Sequence, residues 1–424
     1  MIDIKFLREN PDLIRETVKK KFQNDKLKIV EEALKKDAEW RKLKGEADTL
    51  RAERNKLSKE VGLLKKAGKN ADAVLKKAQK IPDQIDGVER KAQALEDVVQ
   101  AMLVNLPNVM HASVPIGKDA SQNVEIKTYG KKPKFNFPIK SHVEIGESLG
   151  MLDFNASAQT SGNGFYYMQG DLALLNQAIL RFAIETMVKK GFLYVETPLM
   201  VQDKIIKNVT DLHDQKNQIY KIQDENLYLI GTSEHALIGR YIDTILPEKQ
   251  LPIKQTSYSM CFRKEVGSHG IDEKGLFRTH QFNKIEMIVI CKPEDSMKFF
   301  ECMKEITIEI FTSLGLPLRV LAICSGNLSD LKHIQVDIEA WSPRKEEYFE
   351  VGSCSNLTEA QAKLLKIRVD GKTRYTPHTL NNTAIATSRA MVAILENFQQ
   401  KDGSVLIPPV LVPYMFGKNK INKQ

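Results

Sequence analysis

The chain is short of cysteine, of long apolar runs and of glycine-rich signatures, and each shortage excludes something. Its five cysteines (Cys261, Cys291, Cys302, Cys324, Cys354) are odd in number, widely spaced and never arranged as CxxC. That argues against a disulfide framework and a cysteine-rich zinc site, and it suits a reducing compartment. No run approaches a membrane span. The opening MIDIKFLRENPDLIRE carries charges throughout and has no apolar core of signal-peptide length. A cytoplasmic location is expected, with no membrane partner. Neither GxGxxG nor GxxxxGK[ST] occurs, so any nucleotide is held by something other than a Rossmann or P-loop turn.

What is present is 424 residues, too many for one ordinary core, with a net charge of +9 that is modest over this length. How that charge is distributed matters more than its sum. Asn10 is placed to cap a short helix with Pro11 in its first turn. Trp40, Leu43, Ala47, Leu50, Leu57, Val61 and Leu64 then fall on alternating steps of three and four, with Arg54 the one polar seam position. A second seam runs through Val74, Ala78, Ile81, Ile85, Val88, Ala92, Leu95, Val99 and Met102. Gly68 and Asn70 supply a turn between them, which predicts an antiparallel helical hairpin over about 25–102, bent at Pro82. Each arm reaches roughly 50 Å.

Near the hairpin tip stand Lys56, Lys59, Lys65, Lys66, Lys69, Lys76, Lys77 and Lys80, against only Glu60 and Asp72. One such lysine is ordinarily a solvated helix face. The cluster at the end of a long lever favours nucleic acid. A domain boundary is expected near Pro107, giving domains 1–106 and 107–424. The stretch from LPNVMHASVP to about Ser161, rich in Pro, Gly, Asn and Lys, reads as an irregular connector. Beyond it, FYYMQGDLALLNQAILRFAIETMVKKG is a helix ending at Gly191 and FLYVETP a strand ending at Pro198. Strands and helices then come in runs, so the fold class is α+β with an antiparallel sheet.

In QTSYSMCFRKE, the residues Ser257, Ser259, Cys261, Arg263 and Glu265 share one side of a strand. In FRTHQFNKIEMIVI, Arg278, His280, Phe282, Lys284 and Glu286 share one side too. VGSHGIDEKG, between them, reads as a mobile loop. If both faces are the same face, the sheet offers a guanidinium for phosphate, a ring for a base and a carboxylate for an amine. A half-solvated sheet with ordinary surface charge satisfies the same spacing.

These residues carry a resemblance. FRKE followed by FRTHQFNKIEM resembles motif 2 (about 257–290) of class II aminoacyl-tRNA synthetases, and its wording is most similar to the seryl-tRNA synthetase family. GFLYVETPLM (about 191–200) resembles motif 1, which lies at that family's dimer interface, and TLNNTAIATSRAMVAILENFQQKDG (about 379–400) resembles motif 3. GTSEHAL, FEVGSCSN, the opening segment and the hairpin match as well, so the resemblance spans essentially the whole chain.

The resemblance implies a ligase that joins L-serine to tRNA(Ser) through a seryl-adenylate, as a homodimer, and it leaves tRNA(Sec) open as a second acceptor. It implies that Thr232, Ser233, Glu234, Glu286, Asn381 and Thr383 meet serine, the carboxylates taking its ammonium group. It implies Arg263, Lys264, Glu265, Phe282, Glu350, Val351, Gly352, Ser353 and Arg389 for ATP, with Phe282 beneath adenine and Arg263, Arg389 and Glu286 central to catalysis. Glu350 and Ser353 correspond to the family's Mg2+ contacts, and the eight tip lysines to its tRNA arm. No zinc is implied, since His213, His235, His269, His333 and His378 show no metal spacing, and His280 reads as a packing residue.

NNTAIATSR departs from the family's glycine-richer motif 3 at Asn382, Ala384 and Ser388, positions where glycine would permit a close backbone approach to the nucleotide. Two rivals are open. A relative that activates a small amino acid for a non-tRNA acceptor generally lacks the long arm. A non-catalytic nucleic-acid-binding relative would be expected to have lost Arg263, Glu286 or Arg389, and all three are here.

Overall fold

The first helix begins where a side chain can replace a missing backbone partner. In this computed structural model, which describes residues 2–210, 218–265 and 275–423, Asp3 caps α1 (Ile4–Glu9) by accepting the Phe6 N–H at 2.7 Å. Asn10 takes the N-cap position of α2 (Pro11–Lys20), and Pro11 opens that helix as expected. Its side chain does not cap α2, however. Asn10 Nδ2 donates to the Phe6 carbonyl at 3.3 Å, so the group closes the first helix instead.

The chain divides into two units, Met1–Val109 and Met110–Gln424. In the first, α3 (Leu27–Lys66) and α4 (Asp72–Leu103) pair along the two seams. Ala47, Ile81, Ile85, Ala92 and Val99 are buried, the other seam residues are half-buried, and Arg54 is exposed. Helical structure continues through Pro82, and Arg51 bonds across to Glu89. At the base of the hairpin, away from its turn, Leu7, Ile14, Val18, Val30, Val99 and Leu103 form one apolar cluster. There Arg8 clamps the buried Asp37 carboxylate through two bonds, 2.7 and 2.9 Å.

The second unit is built on eight strands: β1 (Val124–Tyr129), β2 (Leu193–Tyr194), β3 (Ile253–Phe262), β4 (Gln281–Cys291), β5 (Leu318–Ala322), β6 (Ile334–Ser342), β7 (Glu347–Thr358) and β8 (His378–Ala386). They lie in the order β1-β5-β6-β7-β8-β4-β3-β2, antiparallel throughout except for the β2–β3 pair. The α+β expectation holds. Two local expectations change. The irregular connector contains edge strand β1 and two short helices, His142–Ser148 and Phe154–Thr160. VEIKTY is a short run among turn residues and reads as strand only once β5 lies beside it. The expected strand FLYVETP shrinks to Leu193–Tyr194, with one further bond from the Val195 N–H to the Thr256 carbonyl.

Strand alternation sorts the sheet into two faces. Along β6, Val336, Ile338 and Ala340 are buried while Gln335, Asp337, Glu339 and Trp341 are half-buried. Four helices use these faces: α5 (Gly170–Lys189), α6 (Glu234–Gly239), α7 (Ser296–Ser313) and α8 (Thr387–Phe398). α5, α7 and α8 join Ile285, Met287, Val289, Val336 and Ile338 in the main core. α6 covers only part of the other face, where Leu237 and Ile238 pack on Ile288 and Ile290. Beyond that cover, β4 continues with Glu286, Lys284 and Phe282. The place where apolar cover stops is therefore the place where polar residues begin.

His235 is buried and His378 half-buried under this scaffold. Burial, followed by the charges of Lys284 and Arg263, pushes His235 down to about 3, and burial pushes His378 down to about 4. The unfolded chain takes up these protons first, so the stabilisation is whole above pH ~6.5 and is lost as pH falls towards the folded values. Each histidine costs up to ~1.4 kcal/mol per pH unit in that window. The melting temperature is expected to fall between pH 6.5 and 4, less steeply in His235→Gln. An identical fall in that variant would remove His235 as a cause.

Candidate active site

Register decides whether the two polar stretches share a surface. β3 and β4 pair Ser257 with Glu286, Ser259 with Lys284 and Cys261 with Phe282, and paired residues of an antiparallel sheet lie on the same face. β8 extends the surface by setting Thr383 opposite Glu286 and Asn381 opposite Ile288. β7 and β6 continue it with Ser353 opposite Asp337 and Glu350 opposite Glu339. The alternative of unrelated faces is thereby excluded.

Two bulges make that surface possible. Glu350 and Ser353 are three apart, which in a regular strand would point them to opposite sides. The ladder shifts between Ile338 and Glu339, leaving Val351 as an extra residue, and both side chains face the same way. A second shift leaves Ala384 extra in β8, so Thr383 and Ala386 also share the site face. Gly352 answers a tight approach on the far side. A Cβ there would meet Thr307 Cγ2 at 2.9 Å and the Thr383 carbonyl at 3.2 Å.

One corner gathers the carboxylates. Glu286 is buried, with its Oε2 accepting from Thr232 Oγ1 at 3.2 Å and Thr383 Oγ1 at 3.5 Å, and it pairs with Lys284. Glu234, at the start of α6, accepts from Asn381 Nδ2 at 2.7 Å and Gln361 Nε2 at 2.9 Å. Burial, followed by the like charge of Glu286, pushes the Glu234 carboxyl above its ordinary value. Such a corner gains from an incoming cation. Ser233 faces away from it, as its buried hydroxyl donates to the Ser257 carbonyl at 3.4 Å.

The adjoining cleft carries cations and rings. It is lined by Arg263, Glu265, Phe277, Arg278, Phe282, Lys284, Glu350, Val351, Gly352, Thr383, Ser388 and Arg389, among others. Arg263 donates from Nε to the Gly231 carbonyl at 3.1 Å and lies 5.4 Å from the Phe282 ring centre. Arg389, in the first turn of α8, donates to the Glu350 carbonyl at 2.8 Å, lies 3.2 Å from its carboxylate and stands 5.2 Å from the Phe277 ring. Glu265 has a φ of 47°, in the left-handed region few side chains adopt, and pairs with Arg278 at 3.3 Å. Lys264 points elsewhere, with its N–H on the Gln218 carbonyl and its ammonium 5.9 Å from the Tyr220 ring.

The sequence reading missed several members. Lys284 and Arg278 were visible on the charged strands but had no assigned role. Asp337 was signalled by the alternation of QVDIEAW. Burial, followed by Glu350, pushes Asp337 up to about 6, and it bonds Gln335 and Ser353. Gln361 and Phe277 had no local signal, since only the folded chain brings them here. His280 is a packing residue, with Nδ1 donating to the Arg263 carbonyl at 2.9 Å and its ring 5.3 Å from Phe165. The loop at 266–274, His213 and His269 lie outside the described residues. Among the described residues no group of three His, Cys, Asp or Glu could hold a metal ion.

The departures in motif 3 lie mostly behind the site. Asn382 points into the back of the sheet, where Nδ2 donates to the Met303 carbonyl at 2.8 Å and to Thr307 Oγ1 at 2.9 Å. Thr307 in turn donates to the Thr383 carbonyl at 3.0 Å. Ala384 is fully buried at the bulge, and Ser388 alone of the three lines the cleft. The eight tip lysines, on α3, on α4 and between them, are all exposed.

Comparison with known proteins adds independent findings. The family model for the seryl-tRNA synthetase N-terminal domain matches residues 1–110, and that for the tRNA synthetase class II core domain (G, H, P, S and T) matches 220–398. The serine–tRNA ligase of Methanospirillum hungatei is 45% identical, the match covering 99% of each chain. The crystal structure of seryl-tRNA synthetase from Pyrococcus horikoshii complexed with ATP superposes with a TM-score of 0.96 at 40% identity, covering 100% of both chains. That of the cytoplasmic serine–tRNA ligase from Naegleria fowleri in complex with AMP gives 0.93 at 30% identity, covering 100% of this chain and 99% of that one.

Asn382→Gly, which restores the residue more usual in motif 3, is expected to destabilise the protein by about 2 kcal/mol in denaturant unfolding, through lost buried bonds and a strand glycine. An unchanged midpoint would show that the Asn382–Thr307 contacts contribute nothing.

Proposed function

Because the chain belongs to the seryl-tRNA synthetase family and joins L-serine to tRNA(Ser) using ATP, we propose that serine is activated where β3, β4, β7 and β8 expose their common polar face. The observation that carries this reading is the convergence of Glu286, Thr232 and Thr383 beside Arg263, Phe282 and Arg389. Glu286 and Glu234 take the ammonium group, and the Thr232 and Thr383 hydroxyls orient Glu286. A pocket that hydrogen-bonds the substrate hydroxyl rejects alanine by leaving polar groups unsatisfied, and it excludes threonine by lack of room for a methyl group.

Phe282 carries the adenine, and Arg263 and Arg389 hold the phosphate oxygens, where forked donors suit the geometry. The serine carboxylate attacks the α-phosphorus, the new P–O bond gives seryl-adenylate, and pyrophosphate leaves. A carboxylate is already ionised at neutral pH, so no general base is needed and alignment with charge stabilisation carries the step. A terminal ribose hydroxyl of the tRNA then attacks the carbonyl carbon and AMP leaves. The oxygen donors of Glu350 and Ser353, with Asp337 beside them, fit a hard cation. Those residues would hold magnesium, which when bound supplies positive charge against the phosphate oxygens.

Residues 1–106 serve the tRNA and 107–424 the chemistry. Eight exposed lysines against two acids at the hairpin turn support backbone contacts to the nucleic acid. A homodimer through motif 1 is supported by Val188, Leu193, Leu199 and Met200, which are 51%, 61%, 38% and 47% exposed, more apolar surface than one stretch should leave to water. The five unpaired cysteines support a cytoplasmic location, which cell fractionation would check. Among the described residues no helix is long and apolar enough to cross a membrane.

Pyrophosphate exchange and tRNA charging separate these roles. Glu286→Ala is expected to abolish serine-dependent exchange with the fold intact. Charge reversal at Lys65, Lys66, Lys69 and Lys76 is expected to leave exchange unchanged and raise the KM for tRNA by about tenfold or more. Normal exchange in the first variant, or equal loss of both activities in the second, would contradict the assignments. The pair Val188→Glu and Leu193→Glu is expected to sediment as a monomer, and an intact dimer would exclude this surface as the interface.

A further inference from the structure

Lys284 has no part in the reading above, yet it lies at the centre of the site. Its side chain is 7% exposed, and it pairs with Glu286, itself 3% exposed. It also lines the cleft that holds Arg263 and Phe282. A sheltered ammonium requires a partner, and so does a sheltered carboxylate, so without substrate each satisfies the other. The Glu286 Oε2 already takes two hydroxyls in addition to Lys284. An arriving substrate ammonium would set a second cation on one carboxylate in a site with little water to screen the repulsion. The amino acid brings the remedy with it, a carboxylate on the carbon that bears its ammonium group.

The order along β4 fits this exchange. Phe282, Lys284 and Glu286 follow one another on a single face at intervals of about 6.6 Å, as ring, cation and anion. The bound pair presents adenine, then the reacting phosphate and carboxylate, then the ammonium. We propose that Lys284 exchanges partners on substrate binding, released from Glu286 by the ammonium of serine and taken up by its carboxylate, which it holds for attack. One internal ion pair and one zwitterion become two intermolecular pairs with no change in net charge. The inference rests on Glu286 taking the ammonium group, as proposed above. It makes recognition of the α-amino acid conditional on both ends, because a ligand without the ammonium leaves Lys284 engaged.

The test uses Lys284→Met, similar in length but uncharged, with serinamide as a probe that keeps the ammonium and hydroxyl but has no carboxylate. The KM for serine in pyrophosphate exchange is expected to rise about tenfold or more, while serinamide, whose ammonium no longer competes with Lys284, binds as tightly as to the unaltered enzyme or more tightly. Lys284→Arg should recover part of the serine affinity. A parallel loss of serine and serinamide would overturn the proposal, because Lys284 would then only neutralise Glu286. An unchanged KM for serine in Lys284→Met with a loss in Glu286→Ala would overturn it alone, whereas unchanged values in both would remove the site reading beneath it. Should Lys284→Met not fold, the unaltered enzyme decides. Ethanolamine and formate, the two halves of serine, should each tighten the other's binding several-fold, and independent binding refutes the exchange.

Discussion

Two carboxylates held in one sheltered corner are the constraint around which the catalytic unit is arranged. Glu234 and Glu286 cannot both carry unmatched charge away from water, and the surrounding groups distribute that load. Asn381 and Gln361 donate to Glu234, whose carboxyl is pushed upward, while Thr232, Thr383 and Lys284 surround Glu286. The corner stays folded without ligand because these partners are internal. It stays receptive because two acids share one internal cation, Lys284, and a second cation serves them better than the amide and hydroxyl dipoles do.

Sheet register brings these groups together. Each strand contributes only two or three polar side chains, and none of the strands contains a site alone. Pairing of Ser257 with Glu286, Thr383 with Glu286 and Ser353 with Asp337 lays the contributions side by side. The helix at Glu234–Gly239 covers Ile288 and Ile290 and stops. The hydrophobic term thus shelters one end of the face, and the other end remains open to a ligand of mixed charge.

Much of this was legible in advance, for identifiable reasons. The helical hairpin could be read because its seams repeat over many turns, so single exceptions such as Arg54 did not obscure them. Arg263, Phe282 and Glu286 could be read because strand alternation is strict where β3 and β4 are regular. The short edge strand Val124–Tyr129 could not, since six residues among turns acquire strand character from the neighbour they pair with. Glu350 with Ser353 defied alternation, and only the resemblance to a family placed them together before the bulge at Val351 supplied the geometric reason. Gln361 and Phe277 were invisible because their role depends wholly on tertiary placement. Asn382, suspected of crowding the nucleotide, proved to face the opposite side of the sheet.

The extra residues at Val351 and Ala384 carry one more implication. Each lets a strand change parity part-way along, and parity is a matter of counting. An in-frame loss of the surplus codon would leave Glu350 and Ser353, or Thr383 and Ala386, two apart, so the straightened strand would still hold both on the shared surface. Elsewhere along a regular ladder the same loss would invert one flank, so heredity has more latitude over residue number at these two positions than at their neighbours.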